Sequence, residues 1–132
     1  TSADGNTLAA ITGGTQALFV SGATFPSLSP PLYGNPGYSA VALSANGSNL
    51  AACENKVIEK IDPDGFSGRI GLWSATPNPI YTRVTTVPSA FWSSIAMSAD
   101  GTKLVATASS YGTGDTGNIW VSSDSGVTWL RR

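Results

Sequence analysis

Four acidic side chains stand in or beside long segments rich in glycine, proline and polar residues, where they could perform acid–base chemistry. They are Glu54, Asp62, Asp64 and Asp115. Hydrolysis of a glycosidic bond uses two carboxyl groups that flank the bond, one of which serves as the acid. The sequence offers candidates for such a pair but not their separation, and a glycine-flanked aspartate such as Asp115 commonly shapes its own turn. These four residues are therefore candidate ligand-binding positions, and no catalytic residue is assigned.

Metal binding is the second chemistry that these segments suggest. Asp62 and Asp64 stand just before Gly65, and oxygen ligands cluster around a tight turn in this way at the front of a calcium loop. The glutamate that closes an EF-hand loop is absent, so a Pro-Asp-Gly turn without metal is the favoured interpretation. A single Cys53 and no histidine exclude the common zinc-site spacings. Neither a metal nor another cofactor is predicted.

Aromatic side chains near the same segments could stack on a sugar ring. Tyr38, Trp92 and Tyr111 are the candidates of this kind. Trp92 also opens a predicted inner strand, so packing in a core is an alternative role for it. These three rings complete the predicted set of ligand-binding residues.

The composition excludes several classes of partner. The chain has 7 Lys and Arg against 8 Asp and Glu, a net charge of −1, and no basic block. Neither nucleic acid nor an anionic membrane surface is therefore a predicted partner. No apolar run approaches the ~20 residues of a membrane span. With only 11% charged residues and much Gly, Ser and Thr, the chain is expected to be secreted or on the cell surface.

The candidate residues are positioned by an internal repeat. The tetrapeptide SADG at 2–5 returns as SANG at 44–47 and as SADG at 98–101, and each copy is followed by an apolar segment. Asp-Gly and Asn-Gly are strong hairpin signals, and a type I′ turn with positive φ at both central residues is expected at each copy. Every unit thus contains a strand, a turn and a second strand.

A further hairpin follows in the second and third units. SSDSGVTW at 122–129 can be laid over SATPNPIY at 74–81 without a gap, and an arginine follows two residues later in both cases, at Arg131 and Arg83. Four short antiparallel strands per unit are typical of propeller blades. The sequence therefore predicts an all-β fold of about three such blades, the first incomplete.

Blade boundaries and loop positions follow from this arithmetic. Blades are expected at about 1–37, about 38–90 and about 91–132 of a single domain covering 1–132. The SADG turns and SSDSGVTW would lie at one end of the sheets. The connections after the second and fourth strands would lie at the other end, where length varies between units. Variable loops on a constant scaffold commonly carry function.

SSDSGVTW fits the Asp-box pattern S-x-D-x-G-x-T-W through Ser122, Asp124, Gly126, Thr128 and Trp129. The third unit resembles a blade of the Asp-box propellers, also called BNR or sialidase-like, which include sialidases, xyloglucan-degrading hydrolases and sortilin-type receptors. The resemblance implies a β-propeller fold and a structural role for the box. Its Ser and Asp side chains would bond backbone N–H groups of the turn, and the tryptophan would pack between sheets.

The resemblance implies no single activity, because Asp boxes usually lie away from the ligand face. Sialidases hold the substrate carboxylate with three arginines, whereas two of the four arginines here, Arg83 and Arg131, repeat one position. Closed propellers generally have roughly four to eight blades. The rest of a longer chain, or identical subunits, would therefore complete the ring, and the longer chain is favoured.

The leading functional prediction is non-catalytic extracellular binding of a glycan or a protein by the variable loops. Two alternatives stay open. The chain could be part of a sialidase-like or xyloglucanase-like glycoside hydrolase, or a structural module that builds a larger assembly through its open edges.

Overall fold

The structure, a computed structural model, describes residues 1–11, 18–21, 37–54, 68–75, 80–110 and 116–132. Every regular element in these residues is a β-strand. The strands are β1 (Leu8–Ile11), β2 (Leu18–Ser21), β3 (Tyr38–Leu43), β4 (Asn49–Glu54), β5 (Arg69–Ser74), β6 (Ile80–Arg83), β7 (Trp92–Met97), β8 (Leu104–Ser110), β9 (Thr116–Ser122) and β10 (Leu130–Arg131).

The strands form three antiparallel sheets in which neighbours along the chain are also neighbours in the sheet. Sheet 1 contains β1 and β2, sheet 2 has the order β3-β4-β5-β6, and sheet 3 has the order β7-β8-β9-β10. The predicted all-β class, with four antiparallel strands in the second and third units, is confirmed. The connections after β4, β6 and β8 all leave from one end of the sheets, called here the loop end. The SANG and SADG turns lie at the opposite end, called the turn end.

The three sheets pack face to face. Side chains alternate between the two faces of each strand, so a sheet can contribute apolar side chains to a core on either face. One core lies between sheets 2 and 3 and includes Cys53 and Ile70 on one side and Trp92 and Leu104 on the other. Burial raises the pKa of the Cys53 thiol to about 12, which keeps it neutral. Cys53 is therefore a small buried side chain in a strand.

The second core lies between sheets 1 and 2. Leu50 and Trp73 of sheet 2 are almost completely buried there, and Ala9 and Ile11 of β1 pack against them. Sheet 2 is thus covered on both faces. Each of its neighbours is covered by it on one face.

The expected type I′ turns are wrong. The N–H of the fourth residue of each tetrapeptide donates to the carbonyl of the first, as from Gly5 to Ser2 at 3.1 Å. Only the glycine has positive φ, at 72° in Gly5, 69° in Gly47 and 77° in Gly101. The turn is wider than two residues because side chains close it: the Ser2 hydroxyl donates to the Asp4 carboxylate and accepts from the N–H of Thr7. The same pattern recurs in both other copies.

The three turns are also joined to one another by backbone hydrogen bonds. The N–H of Ala3 donates to the carbonyl of Ala45 at 2.7 Å, and the N–H of Ala45 donates to the carbonyl of Ala99 at 2.8 Å. These alanines occupy the same position of the three tetrapeptides. The row of bonds, called here the turn ladder, fixes each unit in the same register against the next.

The hairpin at 122–129 is closed by its own side chains. The Asp124 carboxylate accepts from the N–H and the hydroxyl of Thr128, and the Ser122 hydroxyl accepts from the N–H of Gly126 at 2.9 Å. The indole N–H of Trp129 donates to the Gly126 carbonyl at 3.0 Å, and its ring is buried in the core between sheets 2 and 3. These are the contacts that the motif predicts.

The gap-free overlay of this hairpin on residues 74–81 is wrong by one residue. Leu104 pairs with Ser122 in sheet 3, whereas the equivalent Leu50 in sheet 2 pairs with Trp73 rather than Ser74. Since side chains alternate along a strand, this offset changes which residues share a face. The letters can still be overlaid because hairpin loops differ in length without disturbing the strand pairing on either side.

The turn carboxylates lead to a prediction about acid stability. Hydrogen bonds to the carboxylate form lower the pKa of Asp4, Asp124 and Asp100, that of Asp100 from 3.8 to about 2, with the Ser98 hydroxyl as the largest cause. Groups whose pKa is lower in the folded than in the unfolded chain contribute stability above the unfolded pKa, and this is lost as pH falls through the folded pKa. We expect the free energy of unfolding from denaturant titrations to fall between pH 3.8 and about 2.

The matched variant is Asp100→Asn. Asn46 already occupies the equivalent place in the second turn and accepts the same hydrogen bonds through its amide oxygen. The variant should fold and show a shallower loss of stability in acid. An identical pH profile for the variant would contradict the role given to Asp100.

Candidate functional site

One face of sheet 2 carries a group of polar and aromatic side chains at the loop end. Strand pairing places Tyr38 opposite Glu54 and Glu54 opposite Arg69. Tyr81 and Arg83 of β6 stand opposite Trp73 and Gly71 of β5, which share the face of Arg69 because they follow it at intervals of two. The Glu54 cluster, as it is called here, consists of Tyr38, Glu54, Arg69, Tyr81 and Arg83.

The carboxyl group of Glu54 is buried beside an aromatic wall. Only 8% of Glu54 is exposed, and the Tyr81 hydroxyl donates to its Oε1 at 3.3 Å. The carboxyl group lies over Gly71: a Cβ at that position would be 2.9 Å from Oε1 and equally close to the rings of Trp73 and Tyr81. A residue without a side chain is therefore required for the carboxyl group to reach this position.

The aromatic wall is made of three rings. The Trp73 ring lies between those of Tyr38 and Tyr81, with centroid separations of 6.4 Å and 5.0 Å and tilted planes. Tyr38 and Trp73 are each only 4% exposed. Their rings therefore support the cluster from inside the sheet interface, while Tyr81 is the ring that stays partly exposed.

Burial is the main influence on the titration of the cluster. It raises the pKa of Glu54, and this rise is opposed by the Tyr81 hydroxyl and by the positive charges of Arg69 and Arg83. Burial, followed by the Glu54 charge, raises the pKa of Tyr81 to about 12. The same two causes raise the pKa of Tyr38. Both phenols thus stay neutral hydrogen-bond donors, and Glu54 holds a proton more readily than an ordinary glutamate.

A small cavity adjoins the two arginines. Its volume is about 200 Å³, and Arg69 and Arg83 line it together with Thr85 and Ser89. Ligand pockets for drug-sized molecules span roughly 300–1,000 Å³. The cavity therefore has the size to receive one polar group of a larger ligand rather than the whole ligand.

The chemistry of the cluster is that of a single carboxyl group. The other acidic residues in the described part of the chain are Asp4, Asp100 and Asp124, and all three lie at the turn end. Within those residues no second carboxylate accompanies Glu54 to make the pair that glycoside hydrolysis uses. The same residues contain no group of three or more His, Cys, Asp or Glu side chains that could hold a metal ion.

The structure brings together only some of the candidate residues that were named from the sequence. Tyr38 and Glu54 are brought together in the Glu54 cluster. Trp92 is fully buried, at 0% exposure, in the core between sheets 2 and 3 on the other face of sheet 2, where its ring is part of the packing. The remaining candidates lie outside the described residues: Asp62, Asp64, Tyr111 and Asp115.

Sequence reasoning overlooked Arg69, Tyr81 and Arg83. Arg83 was interpreted as a repeated structural position, and the pairing supports the equivalence, since Arg83 lies opposite Gly71 and Arg131 opposite Trp120. The two arginines differ in the residue that faces them on the neighbouring strand, which is a glycine in sheet 2 and a tryptophan in sheet 3. The alternation of Arg69 and Gly71 on one strand was the available signal.

A larger cavity lies at the turn end. It has a volume of about 540 Å³ between the outer strand of sheet 2 and the hairpin at 122–129, and its walls include Leu72, Ile80, Val84 and Val127. Its described lining contains Arg83 and several hydroxyl groups but no carboxylate. The Glu54 cluster is therefore the better candidate for a functional site despite its smaller cavity.

No helix in the described part of the chain is long and apolar enough to cross a membrane. Comparison with known proteins finds no family model, no curated protein and no solved structure that matches this chain.

Proposed function

We propose that the protein is a non-catalytic binding module on a β-propeller scaffold, and that it takes a glycan or protein ligand at the loop end of its sheets. The observation that carries the proposal is the Glu54 cluster. It combines two cations, a partly exposed phenol and one carboxyl group, and the two cations, Arg69 and Arg83, line a cavity of about 200 Å³. Such convergent polar groups, set at one end of rigid strands, are typical of recognition sites.

The propeller scaffold is supported by how the units stack. The first strands of sheets 2 and 3, β3 and β7, lie against each other, and the Ser39 hydroxyl donates to the Trp92 carbonyl at 2.7 Å. First strands of successive blades adjoin in this way around a propeller axis. Further blades, from a longer chain or from identical subunits, would complete the ring, and an extracellular or cell-surface location fits the low charge content of 11%.

Binding is favoured over catalysis because glycoside hydrolysis generally uses two carboxyl groups, and among the described residues only Glu54 supplies one at the loop end. A hydrolase would need a partner for Glu54 across the scissile bond. Glu54 instead accepts the Tyr81 hydroxyl and lies near two arginines, which is a network suited to holding donors and acceptors of a ligand in place.

The experiment compares two arginines in equivalent places. The wild-type chain, Arg83→Gln and Arg131→Gln are screened on an immobilised panel of neutral and acidic glycans and of extracellular proteins, and affinities for any bound member are measured by calorimetry. We expect Arg83→Gln to weaken binding at least about tenfold, as loss of a charged hydrogen bond of about 1.5–3 kcal/mol implies, and Arg131→Gln to have no effect.

Two results would contradict the proposal. Equal losses in both variants would place the ligand away from the Glu54 cluster. Turnover of a glycoside that is abolished by Glu54→Gln would replace binding with hydrolysis.

A further inference from the structure

Equivalent residues in the three units differ in exposure in a regular way. Leu50 and Leu104, which follow the second and third tetrapeptides, are 0% and 2% exposed because the preceding sheet covers them, whereas the equivalent Leu8 in sheet 1 is 47% exposed. On the opposite faces, Ala51 is 0% exposed under sheet 3, whereas the equivalent Val105 in sheet 3 is 38% exposed. In sheet 1 the open face is equivalent to the face of sheets 2 and 3 that the preceding sheet covers. In sheet 3 the open face is equivalent to the face of sheet 2 that the following sheet covers.

The turn ladder has two complementary ends. Each junction inside the chain uses the alanine N–H of one unit and the alanine carbonyl of the next. In the described residues the Ala3 carbonyl and the Ala99 N–H, both on exposed residues, are the two groups of this kind that the ladder does not use. A donor at one end and an acceptor at the other allow the same bond to form between two chains.

The contact at the tetrapeptide glycine repeats in the same way. Thr7 of the first unit lies over Gly47 of the second, and Asn49 of the second lies over Gly101 of the third. Gly5 has nothing within 4 Å at the corresponding place. The residue equivalent to Thr7 and Asn49 in the third unit is Lys103, which is exposed.

We propose that the chain associates head to tail with a second copy of itself, the outer face of sheet 3 of one copy packing on the outer face of sheet 1 of the next. The contact repeats the junction that the chain already contains twice. It covers Val105 with the face of Leu8, adds one rung between Ala99 and Ala3 to the turn ladder, and places Lys103 over Gly5.

Charge favours this occupant as well. Lys103 placed over Gly5 lies beside the exposed carboxylate of Asp4, so the junction between copies has an ion pair that neither internal junction has. The faces that meet are different surfaces, which makes the interface heterologous. Such an interface generates rings or filaments rather than closed twofold dimers.

The experiment uses two variants that each block one face. Val105→Lys puts a charge on the outer face of sheet 3, and Leu8→Lys puts one on the outer face of sheet 1. Sedimentation and light scattering over a concentration series should show assemblies larger than the 13.5 kDa chain for the wild type and only 13.5 kDa for either variant. An equimolar mixture of the two variants should form a particle of twice the chain mass, because each retains the one face that the other lacks.

Controls separate the interface from general effects. Ile80→Lys replaces an equally exposed apolar side chain, 54% exposed, that lies on neither open face, and it should associate like the wild type. Asp4→Asn keeps the turn, as Asn46 shows, and should weaken association about two- to fivefold. A wild-type chain that stays monomeric at every concentration would overturn the proposal, and so would folded variants, verified by circular dichroism, that fail to combine when mixed.

Discussion

Replacing Trp92 with alanine is expected to lower the free energy of unfolding by about 3–5 kcal/mol, the range for large aromatic side chains in cores. The ring is 0% exposed and belongs to the core that joins sheets 2 and 3. Small domains have about 5–15 kcal/mol of total stability, so this loss would leave the chain marginally folded. Urea titrations followed by circular dichroism measure the change directly.

The same variant tests the role that the sequence suggested for Trp92. Ile80→Ala is the control, because its side chain is 54% exposed and its loss should change stability by no more than about 0.5 kcal/mol. If Trp92→Ala unfolds like the wild type but loses a ligand, the ring is a binding surface and its burial in the structure is wrong. If stability falls as expected, Trp92 joins the two sheets.

The repeat was readable from the sequence because each tetrapeptide closes its own turn. A serine hydroxyl, an acidic or amide oxygen and a glycine with positive φ act within six residues, so their spacing alone indicates a hairpin. The four-stranded sheets follow, since turns at these intervals leave room only for short antiparallel strands. The sequence could not show that these turns differ from type I′, because the side-chain hydrogen bonds that widen them depend on the backbone geometry.

The Glu54 cluster was only half visible in the sequence. Tyr38 and Glu54 attracted attention as types of residue that bind ligands, yet Arg69 and Tyr81 join them only through strand pairing. A shift of one residue in that pairing would move every partner to the other face of the sheet. The overlay of 74–81 on 122–129 contained such a shift, so the overlay could not show which residues share a face with Glu54.

The open faces of sheets 1 and 3 were also beyond sequence reasoning. Leu8, Leu50 and Leu104 look identical in the aligned units, and only the packing shows that one of them is uncovered. The difference in exposure depends on where a unit lies in the stack of sheets rather than on the sequence of the unit. The stacking can be tested by replacing the glycine that all three tetrapeptides contain.

Gly47→Ala is expected to lower the free energy of unfolding by about 2–5 kcal/mol. Its φ of 69° costs an alanine about 1–2 kcal/mol. Its new Cβ would lie 2.5 Å from Oγ1 and 2.8 Å from Cβ of the buried Thr7, and such overpacking adds about 1–3 kcal/mol. Rotation of the Thr7 side chain could move Oγ1 but not Cβ, so sheets 1 and 2 must separate slightly to admit the alanine.

Gly5→Ala is the matched control for this measurement. Gly5 has nearly the same φ, 72°, in the same tetrapeptide, but nothing lies within 4 Å of its added Cβ. Its replacement should therefore cost only the backbone term of about 1–2 kcal/mol when unfolding is measured at concentrations where the chain is monomeric. Equal losses at Gly5 and Gly47 would mean that Thr7 does not press on the second turn, and the stacking of sheet 1 on sheet 2 would then be incorrect. A larger loss at Gly47 isolates the contribution of the neighbouring unit, since backbone strain is common to both positions.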